Sequence, residues 1–157
     1  MRIFIAIHYL EIGGVETSLI NLLQALDPER VEVDLFVYDP RGEMMEFIPN
    51  GVNLLKAPKA YNYIERPIKE VLLAGQFKIA LARLKAKWEM QQYTRVKHPK
   101  DSSAIFGYIG KCITPILPSL YYLGEYDLAI SYLMPHNIVK EKVKARKKIA
   151  WIHTDYS

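Results

Sequence analysis

A glycine pair between two contrasting runs constrains the fold of this chain more than any other feature. Residues 3–7 form a nearly continuous apolar run with β-branched side chains, which is typical of a strand buried on both faces of a parallel sheet. Gly13 and Gly14 follow, and residues 15–26 then place leucine and isoleucine at helical spacing. The order of strand, glycine turn and helix predicts the first unit of an α/β domain.

The same alternation returns towards the carboxyl end. The patterns predict strands over residues 31–38, 52–55, 127–132 and 148–152, and a basic helix over residues 135–146. Between them, residues 60–124 break the rhythm and favour helices interrupted at Pro115 and Pro118. We therefore predict an α/β fold: one Rossmann-like parallel sheet flanked by helices, with a helical insertion at about residues 60–124.

Composition limits the classes of function. One cysteine, Cys112, allows neither an intrachain disulfide nor a cysteine metal site. No run approaches the roughly 20 apolar residues that span a bilayer, so we expect a cytoplasmic protein. Residues 76–100 hold seven basic residues and one acid, which suits an anionic partner. The helix predicted over residues 77–97 is either a solvated helix packed on the sheet, or it contacts the anionic inner face of a membrane. No nucleic-acid-binding signature accompanies the charge.

The glycine pair is a candidate ligand site. Glycines lack Cβ atoms, so a ligand can approach the backbone closely, and the first amides of a helix can face an anion. In open parallel sheets, ligands bind beyond the carboxyl ends of the strands. Neither a G-x-G-x-x-G fingerprint nor a Walker lysine is present. Spacing alone therefore leaves open whether Gly13 and Gly14 bind a phosphate or only shape a turn.

Histidines at strand ends are the other candidates. His153 follows the predicted strand 148–152, which puts it at the same sheet edge as the glycine pair. A histidine there can hydrogen-bond a sugar hydroxyl or a phosphate, or simply satisfy a neighbouring carbonyl. His136, which follows the fourth predicted strand, is a weaker candidate. Other polar residues expected at this edge are Tyr9, Thr154 and Asp155. No histidine pair has metal-ligand spacing, so we expect no metal.

Several segments resemble a known enzyme family. Residues 1–7, the run Gly13-Gly14-Val15-Glu16 and the leucine-rich residues 17–26 resemble the opening of glycosyltransferases of the GT-B fold, especially the retaining family 4 found in bacterial polysaccharide biosynthesis. Residues 126–131 resemble that family's fourth strand, and residues 147–155 resemble the strand leading to its interdomain histidine. The resemblance does not constrain the middle of the chain, about residues 57–124.

The resemblance implies a function. Family members have two Rossmann-like domains, of which the first mainly binds the acceptor and the second holds the nucleotide-sugar. Residues 1–157 are then one amino-terminal domain, without the nucleotide-sugar domain and inactive alone. The expected partners are a nucleotide-sugar co-substrate and a glycan or lipid-linked acceptor, with no metal cofactor. The resemblance places His153 at the reacting centre and the glycine pair beside the donor diphosphate or the acceptor, while Glu16 shapes the helix start.

Two alternatives remain open from the residues. A free-standing α/β ligand-binding or regulatory domain without catalysis explains the predicted sheet and the glycine pair equally well. It does not explain why the chain ends soon after His153, which leads us to expect a longer protein. A dinucleotide-dependent enzyme requires a third glycine and an acid closing the second strand, and only Asp39 fits that pattern.

Overall fold

Five parallel strands form the centre of the molecule in a computed structural model that describes residues 1–97, 104–133 and 135–153. The strands are β1 (Arg2–Ile7), β2 (Glu32–Val37), β3 (Val52–Leu54), β4 (Glu125–Ser131) and β5 (Lys144–Ala150). Their order is β3-β2-β1-β4-β5, and β1 pairs in parallel with both β2 and β4. The predicted Rossmann-like α/β fold is confirmed.

Helices cover both faces of this sheet. They are α1 (Gly14–Ala25), α2 (Ile68–Leu73), α3 (Phe77–Lys97), α4 (Ala104–Ile113) and α5 (Asn137–Lys142). On one face, Ile3, Ile5 and Ile7 of β1 pack in a buried cluster with apolar residues of α1. On the other face, Phe4 and Ala6 pack with residues of α2, α3 and α5. This alternation along β1 explains its unbroken apolar run.

The segment between β3 and β4 is the predicted helical insertion. It contains α2, α3 and α4 with short 3-10 turns, two of which span Lys59–Tyr63 and Thr114–Ile116. Tyr61 anchors it to the sheet: its ring centroid lies 5.1 Å from that of Phe36 in β2. The Tyr61 hydroxyl also donates a 2.6 Å hydrogen bond to the carbonyl oxygen of Pro118. The insertion is therefore part of the core and not a loose appendage.

The boundary between the last helix and the last strand was predicted wrongly. The pattern predicted a helix over residues 135–146, but α5 ends at Lys142 and β5 already begins at Lys144. The ladder between β4 and β5 starts with Glu125 opposite Lys144, and most β5 side chains are exposed. An exposed edge strand tolerates lysines, so its sequence has no apolar period to distinguish it from a polar helix face.

A buried carboxylate joins four strands near their amino ends. Asp34 of β2 has no exposed surface and accepts a 2.6 Å hydrogen bond from the guanidinium of Arg2 in β1. It also accepts hydrogen bonds from the Asn53 amide of β3 at 2.6 Å and the Tyr126 hydroxyl of β4 at 2.7 Å. Burial of this charge is tolerated because the carboxylate oxygens accept these three hydrogen bonds, one of them from a guanidinium group.

We expect Asp34→Ala to destabilise the fold strongly. The change leaves Arg2 without its buried partner, and loss of one member of a buried pair costs about 3 kcal/mol or more. Because the Arg2 side chain is 33% exposed, the value should lie near that lower end. Urea denaturation measures it. The matched control is Glu32→Ala, since Glu32 is 66% exposed and 3.5 Å from Arg2; it should cost less than about 1 kcal/mol. Equal losses in the two variants would contradict this account.

Candidate functional site

Strands β1 and β4 lie side by side at the carboxyl edge of the sheet, and Tyr132 occupies the position where β4 ends. Its amide donates a 2.8 Å hydrogen bond to the Ala6 carbonyl of β1, and the side chain is fully buried. The Tyr132 hydroxyl and the Ser18 hydroxyl of α1 share a 2.9 Å hydrogen bond. The start of α1 is therefore fixed to the end of β4. Strand order reverses between β1 and β4, which is where Rossmann-like folds open a ligand crevice.

His153 lies against the same tyrosine. Its ring centroid is 4.7 Å from that of Tyr132. The ring centroid of Trp151, two residues earlier in the chain, is 5.1 Å from that of Tyr132. Among the described residues, the buried Nε2 atom of His153 has no hydrogen-bond partner. Tyr132 thus contacts both His153 and the first turns of α1. His153 itself lies three positions beyond the last residue of β5. Its predicted companions Thr154 and Asp155 lie outside the described residues.

The two glycines occupy different environments. Gly13 precedes α1 with an extended φ of −166°, and a Cβ there would collide with the carboxylate of Glu16. At Gly14, a Cβ would meet no described atom within 4 Å. This position opens onto a depression of about 450 Å³, lined by Ile12, Gly13, Gly14, Thr17, Ser18 and Asn21. The Glu16 carboxylate thus takes the space beside Gly13, whereas Gly14 faces open space.

The Glu16 carboxylate changes what this helix start can bind. Glu16 is only 7% exposed and folds back over Gly13, in the first turn of α1 where the helix dipole favours a negative charge. A phosphate placed beside Gly13 would meet that like charge. A hydroxyl group can instead donate a hydrogen bond to the carboxylate. The start of α1 is therefore a poor site for a bare anion.

Tyr9 lies on the β2 side of the edge. The guanidinium carbon of Arg41 is 5.0 Å from the Tyr9 ring centroid, and the His8 ring is 5.3 Å away. Burial, followed by the nearby Glu65 and Glu11 carboxylates, raises the pKa of the Tyr9 phenol. No contact given by the structure joins Tyr9 to His153 within the described residues, so these two candidates belong to different parts of the edge.

His136 lies in a separate cavity of about 190 Å³ between α5 and β5. Its Nδ1 atom is 2.8 Å from the hydroxyl oxygen of Ser131, and burial lowers the pKa of His136. Lys140 and Lys148 line the same cavity. The Lys148 ammonium is already held by the Lys140 carbonyl at 2.6 Å. This cavity is a second polar feature at the edge and not an extension of the depression beside Gly14.

An ionic cluster that the sequence did not reveal closes β2. Asp39 is 2% exposed and accepts two hydrogen bonds from the Arg66 guanidinium, at 2.9 and 2.6 Å. The Arg41 guanidinium lies 3.1 Å from the same carboxylate. Since Asp39 is occupied by two guanidinium groups, it is not free to bind a ribose. This arrangement disfavours the dinucleotide-dependent alternative, for which Asp39 was the only matching residue.

His8, at the end of β1, is buried beneath this cluster. It is 2% exposed, its Nε2 atom is 3.5 Å from the Glu65 carboxylate, and its buried Nδ1 atom has no partner among the described residues. Burial, opposed by the Asp39 carboxylate, lowers the pKa of His8 to about 4. His8 is therefore neutral near pH 7 and contributes to the core and not to a charged binding surface.

Comparison with known proteins adds no identification. Neither the family models nor the curated proteins nor the solved structures yielded a match to this chain. The resemblance to family 4 glycosyltransferases therefore stays a prediction. Over residues 1–97, 104–133 and 135–153, no three His, Cys, Asp or Glu side chains are grouped as metal ligands. In the same part of the chain, no helix has both the length and the apolar character of a membrane span.

The buried His8 should make the fold sensitive to acid. The unfolded chain takes up a proton at histidine near pH 6.5, but the folded chain does so only near pH 4. The contribution of neutral His8 to the free energy of unfolding is therefore fully present above pH 6.5 and is lost as the pH falls towards 4. The free energy of unfolding should fall by roughly 2 kcal/mol between pH 8 and pH 5. Urea denaturation across this range should show that slope, and His8→Leu should remove most of it. An unchanged slope in the variant would contradict the assignment.

Proposed function

We propose that this chain is the acceptor-side domain of a glycosyltransferase that moves a sugar from a nucleotide-sugar to a glycan or lipid-linked acceptor. The observation that carries the proposal is the open depression at Gly14. Its lining residue Ser18 is hydrogen-bonded to Tyr132, which contacts His153 at the crossover between β1 and β4. Its lining combines backbone that a ligand can approach closely, at Gly13 and Gly14, with the neutral polar side chains of Thr17, Ser18 and Asn21, a combination that suits a polyhydroxylated ligand.

Each group near the depression has a task in this proposal. The Glu16 carboxylate accepts hydrogen bonds from the hydroxyl groups of the sugar acceptor. The side chains of Ser18 and Asn21 can accept hydrogen bonds from these hydroxyl groups or donate to them. Trp151, which is 39% exposed next to Tyr132, offers an aromatic face for a sugar ring. His153 contacts the sugar or phosphate at the reacting centre through its imidazole nitrogens.

Charge development explains why a second domain is needed. As a nucleoside diphosphate departs, negative charge grows on its phosphates while the anomeric carbon becomes positive. Fixed hydrogen-bond donors and basic groups aimed at the leaving group stabilise that state. The Glu16 carboxylate makes the start of α1 a poor place for the departing phosphates, because it carries the same sign of charge. The proposal therefore assigns nucleotide-sugar binding to a second domain, in a cytoplasmic protein, and expects residues 1–157 alone to show no transfer.

Gly14→Ala separates the function of the loop from its folding role. A Cβ at Gly14 meets no described atom, and alanine favours helix by up to about 1 kcal/mol over glycine, so stability should stay equal or rise. If an acceptor uses this space, transfer should fall by about tenfold or more, which is a loss of about 1.4 kcal/mol of transition-state stabilisation. The rate of transfer is measured with the protein of the complete reading frame and a panel of radiolabelled nucleotide-sugars.

The matched control is Gly107→Ala in α4, where an added Cβ also meets no described atom. It should gain similar stability and keep full transfer activity. Loss of transfer in both variants, or in neither, would contradict the placement of the acceptor at Gly14. If no nucleotide-sugar supports transfer but a glycan binds and Gly14→Ala abolishes that binding, the free-standing ligand-binding domain replaces the transferase.

We expect His153→Ala to reduce transfer while leaving the thermal unfolding temperature almost unchanged. His153 lies beyond the last residue of β5 and its contacts are with the rings of Tyr132 and Trp151, so its removal leaves the sheet intact. The rate constant should fall more than the acceptor affinity, because the proposed role is at the reacting centre. His136→Ala, in the separate cavity, serves as the control. Full activity in His153→Ala would refute the role.

A further inference from the structure

Helix α3 carries large apolar side chains on the face that points away from the protein. Its buried face consists of small or branched residues, including Ile79, Ala82 and Ala86. The opposite face carries four large apolar side chains with exposed fractions of 54–66%, which we call the outer stripe: Phe77, Leu81, Leu84 and Trp88. Their spacing of four, three and four residues aligns them along one side of the helix.

Two further large apolar side chains are exposed at the end of α2. Leu73, the last residue of α2, is 80% exposed, and its neighbour Leu72 is 43% exposed. Single exposed apolar residues are ordinary, but a row of four large ones on one helix face marks an interaction surface. Since α3 already buries its other face, within the described residues the outer stripe serves no packing purpose.

Basic side chains flank the outer stripe. Helical spacing places Lys78 and Lys85 on one side and Lys87 on the other. The one acid among residues 77–95 is Glu89, whose carboxylate lies 3.7 Å from the Lys85 ammonium and 3.3 Å from that of Lys111. The surface around the stripe is therefore positive, and it fits a partner that is both apolar and anionic.

We propose that the outer stripe docks on an anionic lipid bilayer, with its apolar side chains at the boundary between headgroups and acyl chains. A helix that lies in a membrane interface typically carries leucine, phenylalanine and tryptophan on one face, with lysines beside them. Each lysine adds attraction to anionic headgroups. A second copy of the chain fits less well, because pairing two outer stripes would bring their flanking lysines together.

A chain of hydrogen bonds connects α3 to the carboxyl end of β2. The guanidinium of Arg83 in α3 donates to the Arg66 carbonyl, and Arg66 in turn holds Asp39 at the carboxyl end of β2. Membrane docking would thus fix the orientation of the sheet edge relative to the lipid surface. The inference does not rest on the proposed transferase, since it follows from the surface of α3 alone.

Vesicle sedimentation tests the inference directly. The protein should bind vesicles of phosphatidylcholine containing about one-third phosphatidylglycerol and bind pure phosphatidylcholine vesicles at least tenfold more weakly, with affinity falling as salt rises. Trp88 supplies a second readout. In a Trp151→Phe background, its emission should shift to shorter wavelength on binding, because its exposed ring leaves water.

Substitutions on the stripe identify the surface. The double variant Leu81→Gln/Trp88→Gln should lose at least tenfold in vesicle affinity while keeping its circular dichroism spectrum, as both side chains are mostly exposed. Phe47→Gln is the matched control, because the Phe47 side chain is 51% exposed but lies away from α3. It belongs to a 3-10 turn, and Met44 and Met45 of that turn pack on the α1 face of the sheet. The vesicle affinity of this variant should not change. Lys78→Gln/Lys87→Gln should remove the preference for anionic vesicles.

Three results would overturn the inference. The first is no vesicle binding by the wild-type protein. The second is equal binding by the wild-type protein and Leu81→Gln/Trp88→Gln. The third is a lipid-free dimer in sedimentation velocity that the same double variant dissociates, which would assign the stripe to a second copy of the chain.

Discussion

Strand β1 pairs in parallel on both of its sides, and the position of every functional group follows from that. The sheet grows from β1 towards β2 in one direction and towards β4 in the other, so the connections leave the carboxyl ends of β1 and β4 on opposite faces and open a crevice between them. At the other end of the sheet, the buried Asp34 carboxylate binds β1, β2, β3 and β4 together. The buried Asp34 cluster and the candidate site thus lie at opposite ends of one sheet.

The sequence predicted the fold class because a strand buried on both faces has a strong signature, as residues 3–7 show. It predicted the wrong boundary between α5 and β5 because an exposed edge strand rich in lysine has no apolar period. The sequence of α3 does not indicate which face of the helix is buried, because apolar residues lie on both faces. The Asp39–Arg66 pair spans 27 residues and has no local signature at all.

The glycine pair shows how structure refines a motif. In the sequence Gly13 and Gly14 are equivalent, and both suggest an anion site. In the structure, Gly13 makes room for the Glu16 carboxylate, whereas Gly14 opens onto free space beside Ser18. This start of α1 then disfavours a bare anion, and the proposed ligand is a sugar-bearing acceptor. Arg83 and Arg66 connect this edge to α3, so a lipid-docked helix would present the same edge to a lipid-linked acceptor.

The central claim is that the crevice between β1 and β4 binds a polyhydroxylated ligand, and amide chemical shifts test it most directly. Nitrogen-15-labelled protein titrated with a panel of mono- and oligosaccharides should show shifts centred on Gly14, Ser18 and Tyr132, whose positions meet at this crevice. Shifts centred on His136 and Lys148, in the separate cavity between α5 and β5, or no shifts with any sugar of the panel, would contradict the account.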